Sequence, residues 1–211
     1  MKPYKTLLRR GSDEIIIKNS RFIGEGVPVD SEDAALAFLG EVRKSRPDAS
    51  HHCYAYILGE AGGAARFSDD GEPGGTAGLQ ITEALKRMGV TNLCVAVSRY
   101  FGGVLLGAGG LSRAYSKAAT LAVYACGVGE MHPTLRCLIE ADYPDAGKLD
   151  HFLAGSKAAV EGKEFAQTVT YTVAVREVDS DALAEGLRDR FDGKLELVTV
   201  EGFHMAWGDC E

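Results

Sequence analysis

A glycine-rich loop between an apolar strand and a helix strongly restricts how this chain can fold. Five of the nine residues from 102 to 110 are glycine. Residues 92–98 form a nearly continuous apolar run that predicts a buried strand, and residues 111–125 predict a helix. A backbone needs this many glycines where it turns tightly or where another chain approaches it closely. The loop is therefore the first candidate for a functional surface.

The rest of the first 131 residues alternates between strand and helix patterns. Residues 14–18, 21–29 and 52–58 are rich in β-formers and predict strands. One amphipathic helix is expected to begin at an Asp30 N-cap, and a second to open at Thr76 and stop at a left-handed glycine. This mixture of helices and strands predicts an α+β fold.

A domain boundary is predicted at residues 127–133, where two glycines and a proline suggest a short hinge. Beyond it, strand and helix patterns follow the order βαββαβ, which is the ferredoxin-like plan. We therefore expect two α+β domains, residues 1–131 and residues 132–211.

Charge is divided unequally between these two parts. Residues 1–131 carry 15 Lys and Arg against 14 Asp and Glu, whereas residues 132–211 carry 8 against 16. Neutralising the phosphates of a nucleic acid requires a basic surface. Any contact with nucleic acid is therefore expected from a local patch on the first domain.

Composition favours a cytoplasmic protein without a membrane span. The longest apolar runs are far shorter than the ~20 residues that a bilayer helix needs, and the amino terminus lacks the apolar stretch of a secretory signal. The five cysteines are odd in number and never form a CxxC pair, so reduced thiols are expected. They are Cys53, Cys94, Cys126, Cys137 and Cys210.

An acidic loop, Asp69, Asp70 and Glu72, lies just before the second helix. Three oxygen ligands so close together suggest a possible Mg²⁺ site, and the free backbone N–H groups of residues 74–76 suggest an anion site at the helix start. The alternative is a solvated turn whose carboxylates simply favour the positive end of the helix. The sequence leaves both interpretations open.

The flanks of the glycine-rich loop carry side chains suited to nucleic acid. Arg99 and Arg113 are candidates to pair with phosphate, and Tyr100 and Phe101 to stack on bases. The segment is neither a Walker loop nor a complete dinucleotide fingerprint. A purely structural loop, with its aromatic residues in the core, is the alternative.

Other chemistry is weakly signalled. In the run from His51 to Cys53, strand neighbours point to opposite faces, so at most His51 and Cys53 converge and no zinc site is expected. His52 is either polar lining or a half-buried side chain. Hydrolase signatures are absent, so we assign no catalytic residue, and an enzyme is the less expected class.

Four motifs together resemble the YigZ/IMPACT family in order and spacing. They are residues 19–23 (Asn-Ser-Arg-Phe-Ile), 52–56 (His-Cys-Tyr-Ala-Tyr), 68–78 (Ser-Asp-Asp-Gly-Glu-Pro-Gly-Gly-Thr-Ala-Gly) and 99–115, which starts Arg-Tyr-Phe-Gly-Gly. The resemblance covers residues 1–131, and the βαββαβ tail is similar to the carboxyl-terminal domain of the bacterial YigZ branch.

The resemblance implies a link to translation. The family's first domain is similar to the second domain of a small-subunit ribosomal protein and to domain IV of elongation factor G, and its second domain to that factor's ferredoxin-like last domain. Eukaryotic IMPACT regulates translation initiation under stress. Two departures are expected to matter: Leu105 replaces a lysine common in family loops, and the additional amino-terminal domain of IMPACT is absent.

These observations predict a regulatory, translation-associated protein that binds structured RNA or the ribosome. Its expected contact residues are Arg66, Arg99, Tyr100, Gly102, Gly103, Gly107, Gly109, Gly110, Arg113 and Lys117, with His52 and Thr76 as possible lining. One alternative is an enzyme acting on a phosphorylated small molecule or nucleotide, with Mg²⁺ held by Asp69, Asp70 and Glu72. Another is a protein-binding adaptor without a ligand. No cofactor other than Mg²⁺ is implied.

Overall fold

The structure is a computed structural model that describes residues 1–208. It divides into two compact units, Tyr4–Glu130 and, separately, Met1–Pro3 with the chain from Met131 onward. Both units combine α-helices with antiparallel sheets, so the predicted α+β class is confirmed. Cys210 lies outside the described residues.

The amino-terminal unit contains six strands and three helices before a long strand that begins at its end. The strands are β1 (Tyr4–Leu7), β2 (Gly11–Ile17), β3 (Ser20–Pro28), β4 (His51–Leu58), β5 (Ala64–Ser68) and β6 (Leu93–Tyr100). The helices are α1 (Glu32–Ser45), α2 (Gly78–Met88) and α3 (Ala108–Cys126).

Five of these strands form an antiparallel sheet in the order β2-β3-β6-β4-β5. One face carries α2 and α3, which pack on Phe22, Cys53 and Val97. The opposite face carries α1, which packs on Tyr56 and Ala96. Because side chains alternate along a strand, each strand supplies residues to both cores, and adjacent residues face different helices.

The carboxyl-terminal unit follows the βαββαβ order. Its elements are β7 (Val128–Ala141), α4 (Tyr143–Ala154), β8 (Ala158–Phe165), β9 (Val169–Arg176), α5 (Ser180–Arg190) and β10 (Val198–Ala206). The strands pair antiparallel in the order β10-β7-β9-β8. Leu149, Leu183 and Phe191 cover one face of this sheet. This is the ferredoxin-like arrangement that the sequence pattern predicts.

Several local predictions were wrong. Residues 128–133 belong to the continuous strand β7 and not to a hinge. The N-cap of α1 is Ser31, whose hydroxyl accepts a hydrogen bond from the N–H of Ala34 at 3.4 Å, and not Asp30. Strand β5 lies in the polar, turn-rich stretch of residues 59–75, for which the sequence pattern predicts no strand, because pairing with β4 outweighs its weak strand propensity. Among the described residues no helix is long and apolar enough to cross a membrane.

We predict that residues 1–130 fold without the rest of the chain. Every fully buried apolar side chain in the two cores of this unit lies between Leu7 and Cys126. A fragment ending at residue 130 should therefore melt cooperatively when followed by circular dichroism, with a dispersed NMR amide spectrum. A broad, non-cooperative melt would show that the unit is not self-sufficient.

Candidate functional site

Asp69 organises the acidic loop around the start of α2. Its Oδ1 accepts hydrogen bonds from the N–H groups of Ala77 and Gly78 at 3.0 and 2.8 Å, and its Oδ2 accepts one from Gly75 at 2.8 Å. The Asp69 carboxylate thus occupies the start of α2, which is where the sequence suggested a site for an external anion. Asp69 is a built-in ligand of the positive helix end.

Asp70 ties the same loop to strand β4. Its Oδ2 accepts a hydrogen bond from the N–H of His52 at 2.7 Å, and its backbone lies in the left-handed region with φ of 45°. Arg43 on α1 lies 3.6 Å from Oδ1. Thr76 completes the turn, because its hydroxyl donates to the carbonyl of Pro73 at 2.6 Å.

Glu72 is the centre of a buried ionic network. Its Oε1 accepts hydrogen bonds from Arg99 Nη1 and from the Tyr115 hydroxyl, both at 2.6 Å. The Glu72 and Arg99 side chains are only 3% and 7% exposed. Arg99 is the second-last residue of β6, before the glycine-rich loop, and Tyr115 lies on α3 after it. One carboxylate oxygen therefore joins the acidic loop to both flanks of the glycine-rich loop.

The Arg99 guanidinium is enclosed by aromatic rings. It lies 5.5 Å from the ring centroid of Phe22 and also 5.5 Å from that of Phe101. Its Nε is buried and has no hydrogen-bond partner within the described part of the chain. Burial among rings and a carboxylate makes Arg99 an internal ion-pair partner and not a surface phosphate ligand.

His51 borders this network. Its Nδ1 lies 2.8 Å from the Asp70 carbonyl oxygen, and its Nε2 lies 4.0 Å from Glu72 Oε1. Because a carbonyl only accepts hydrogen bonds, Nδ1 carries a proton and Nε2 faces the carboxylate. The strand alternation predicted that His51 and Cys53 share a face, and both contact the acidic loop there.

Cys53 and Tyr115 are held in their neutral forms. Burial, together with the nearby carboxylates, raises the pKa of the Cys53 thiol to about 12, and its Sγ donates to the Asp69 carbonyl at 2.9 Å. Burial likewise raises the pKa of Tyr115 far above its ordinary value. Neither group is suited to act as a nucleophile at neutral pH.

The magnesium alternative is not supported by the geometry. Asp69, Asp70 and Glu72 each bind a different protein partner instead of converging on one point. Among residues 1–208 no group of three or more His, Cys, Asp or Glu side chains is placed to hold a metal ion. The carboxylates of this loop are cross-links between elements of the unit.

The proposed RNA-contact residues do not share one surface. Arg99 and Tyr100 are adjacent on β6 and point to opposite faces, so Tyr100 lies on the α1 side and donates to Asp48 at 3.2 Å. Arg66 pairs in register with Tyr56 and is also on that side. His52 faces Ser98 Oγ at 3.0 Å there, and burial lowers its pKa. The structure therefore places these residues on two faces of the sheet and not on one.

Part of the glycine-rich loop is explained by packing. A Cβ on Gly102 would lie 2.1 Å from the backbone of Asn19, so only glycine fits against strand β3. Gly103 and Gly107 adopt φ of 80° and 72°, which favours glycine. Gly109 and Gly110 belong to the first turn of α3. The loop tip itself is exposed, with Leu105 at 80%.

Arg113 and Lys117 form the exposed basic part of the predicted set. They lie four residues apart on α3, both exposed to solvent, and neither forms an ion pair within the described residues. The start of α3 has no side-chain cap and no acidic residue in its first turn, and the Arg113 guanidinium lies against Gly109. Arg87 joins this surface, because its Nη2 donates to Ser116 at 3.0 Å.

Sequence reasoning assigned no role in the site to His51, Tyr115 or Arg87. The alternation of β4 places His51 on the Cys53 face, which was a usable signal. Tyr115 shares the motif that carries the family resemblance but was not given a role. Nothing in the local pattern of α2 indicates that Arg87 faces α3, because this depends on how the two helices pack.

Two family models match the chain. The Impact N-terminal domain matches residues 18–123, and a domain of unknown function, DUF1949, matches residues 139–194. The chain is 35% identical to "IMPACT family member YvyE" of Bacillus subtilis over 92% of its own length and 89% of the relative. It is 33% identical to "IMPACT family member YigZ" of Escherichia coli over 88% and 92%.

More distant and structural comparisons agree. A "Protein IMPACT homolog" of Saccharomyces cerevisiae is 32% identical over 46% of this chain and 38% of the relative. A solved structure described as "Crystal structure of an hypothetical protein" is 30% identical, with a TM-score of 0.61, and the alignment covers 95% of this chain and 98% of that one. The comparisons thus cover both units.

We predict that Glu72→Gln strongly destabilises the amino-terminal unit. The substitution leaves the buried Arg99 charge without its carboxylate, and breaking a buried ion pair costs about 3–5 kcal/mol. Glu83→Gln is the matched control, since Glu83 pairs with Lys86 on the surface and should cost less than about 1 kcal/mol. Urea unfolding measures the free energy of unfolding of both variants. Equal values for Glu72→Gln and Glu83→Gln would contradict the structural role of Glu72.

We also predict that Cys53 and Cys94 resist alkylation in the folded protein. With a pKa of about 12 for each, only about one thiol in 10⁴ is ionised at pH 8. Iodoacetamide should label them only after denaturation, as measured by peptide mass spectrometry, which resolves each cysteine. Rapid labelling of native Cys53 would instead reveal a reactive thiol beside Glu72.

Proposed function

Because this chain belongs to the IMPACT family, we propose that it is a translation-associated regulatory protein that contacts structured RNA or the ribosome. The contact surface is the outer side of α3 with the start of that helix. The observation that carries the proposal is the pair Arg113 and Lys117, which are exposed, one helical turn apart and without carboxylate partners in the described chain.

Charge placement favours phosphate as the ligand of this surface. A helix start exposes backbone N–H groups and positive potential, and here no side chain caps it. Arg113 adds a guanidinium beside Gly109, and Lys117 extends the positive charge by one turn. At the start of α2 the corresponding position is filled by Asp69. The two helix starts thus differ in whether an anion is already present.

The contact set that supports this function is smaller than the sequence suggested. Arg99 neutralises Glu72 internally, so it positions the loop without binding phosphate. Arg66 and Tyr100 lie on the α1 side of the sheet. Of the predicted basic residues, Arg113 and Lys117 are the exposed pair on α3, and Arg87 of α2 lies beside them. The function is thus supported by family membership together with this local surface.

A protein-binding adaptor is the second candidate, favoured by the apolar tip of the glycine-rich loop. Phe101, Val104 and Leu105 are 50%, 45% and 80% exposed. Exposed apolar side chains grouped in one loop are typical of protein-binding surfaces. Salt separates the candidates, because phosphate contacts weaken steeply as salt rises whereas an apolar contact does not.

We predict that the double variant Arg113→Gln and Lys117→Gln loses most of its association with ribosomes. Each lost phosphate contact should reduce the slope of log affinity against log salt by about 1, so the variant's slope should fall by about 2. Co-sedimentation with purified ribosomes at 50 and 200 mM KCl measures this slope. Thermal melting checks that the fold is intact.

The control is Arg188→Gln with Lys194→Gln, which removes the same charge from exposed positions of the carboxyl-terminal unit. This control should bind as the wild type does. Equal loss in both double variants would show a general charge effect and would remove α3 from the proposal. Binding that resists 200 mM KCl but is lost in Leu105→Ser would favour the adaptor.

A further inference from the structure

A cavity of about 600 Å³ lies in the carboxyl-terminal unit, apart from the α3 surface. It is enclosed by the end of α4, the turn that follows it, strand β9 and helix α5. The lining includes Phe152, Val175, Leu183 and Gly186 on the apolar side, and His151 and Arg190 at the rim. A volume of this size is typical of pockets for small organic molecules.

The floor of the cavity is apolar. Phe152, Val175 and Leu183 belong to the core of the unit and line the cavity from α4, β9 and α5. Gly186 lets α5 pack closely against the Phe152 ring, since a Cβ there would lie 2.9 Å from it. An apolar floor of this kind accommodates the hydrocarbon part of a ligand.

The rim is cationic. Within residues 1–208 neither the Arg190 guanidinium nor the His151 imidazole has a hydrogen-bond or ion-pair partner. The nearby Lys148 donates to the backbone carbonyl of Arg190, so this contact does not occupy the Arg190 guanidinium. Two nitrogen donors therefore line the cavity without an internal acceptor.

The single carboxylate in the lining is already neutralised. Asp179 accepts hydrogen bonds from Lys157 Nζ at 2.9 Å and from Arg176 Nε at 2.8 Å. The contact with Lys157, followed by that with Arg176, lowers the pKa of this carboxyl. Two cations thus surround one anion, and Arg190 adds a third positive charge.

This concentration of positive charge contrasts with the rest of the unit. Residues 132–211 carry only 8 Lys and Arg against 16 Asp and Glu. A second cavity of the same unit, about 380 Å³, is lined by Glu140, Asp142, Asp145 and Glu196 with one lysine. Most carboxylates of this acidic domain therefore lie outside the lining of the apolar cavity. The charge in that lining that has no internal partner is positive.

We propose that the cavity between α4 and α5 binds a small organic anion that has an apolar body and one carboxylate or phosphate group. Arg190 pairs with the anionic group, His151 donates a further hydrogen bond, and the apolar body lies on Phe152, Val175 and Leu183. The site lies within the matched domain of unknown function, residues 139–194. It does not depend on contact with the ribosome.

Isothermal titration of the full chain with 1-naphthoate tests this proposal. We expect saturable binding of one molecule per chain. The neutral isostere 1-naphthamide should bind at least about tenfold more weakly, because it cannot form a charge-assisted pair with Arg190. A parallel titration with 1-naphthyl phosphate shows whether the carboxylate or the phosphate group is preferred.

Two variants locate the site. Arg190→Gln should weaken 1-naphthoate binding about tenfold or more, whereas the control Arg188→Gln on the same helix should leave it unchanged. Ala182→Trp should abolish binding by filling the cavity, and thermal melting checks that this exposed position tolerates the larger side chain. The proposal is overturned by a wild type that shows no saturable binding, by equal affinity for 1-naphthamide, or by unchanged affinity in Arg190→Gln.

Discussion

The amino-terminal unit depends on one buried carboxylate, that of Glu72. Its Oε1 receives hydrogen bonds from Arg99 and from Tyr115, and so connects the acidic loop to β6 and to α3. Removing two charges from water is costly, and only the direct pairing of the two groups offsets this penalty. This coupling explains why the acidic loop and the flanks of the glycine-rich loop must occur together in the sequence. Glu72 and Arg99 are both buried, and each would be an unpaired charge if the segment that carries the other were missing.

The same network changes how the polar residues of the unit should be interpreted. Asp69 caps α2, Asp70 anchors β4 and Glu72 binds Arg99, so the acidic loop is occupied by internal contacts. Arg113 and Lys117 on α3 are exposed and lie outside this network. The surface that we propose for a partner, the outer side of α3, therefore lies beside the network and not within it. The carboxyl-terminal unit separates its charges in a similar way, with the unpaired Arg190 at one cavity and carboxylates at another.

Sequence reasoning predicted much of the fold but less of the site. Alternation along β4 correctly indicated that His51 and Cys53 share a face, and the βαββαβ order correctly indicated the ferredoxin-like sheet. The structure separates Arg99 from Tyr100 because neighbours on a strand face opposite sides, a rule that was applied to His51 and His52 but not to β6. The hinge expected at residues 127–133 was wrong, since residues 128–133 belong to strand β7, and glycine and proline signal a break only where no neighbouring strand pairs with the segment.

The sequence by itself determined the α+β class, most helices and strands, and the family, because these follow from periodicity and from motifs that are local in the chain. The tertiary structure alone decided which charged residues are buried partners and which are free. Arg99 and Arg113 bracket the same loop and look equivalent in sequence. In the structure Arg99 is buried and pairs with Glu72, whereas Arg113 is exposed to solvent. That difference arises from contacts between residues 27 positions apart, and local pattern carries no information about them.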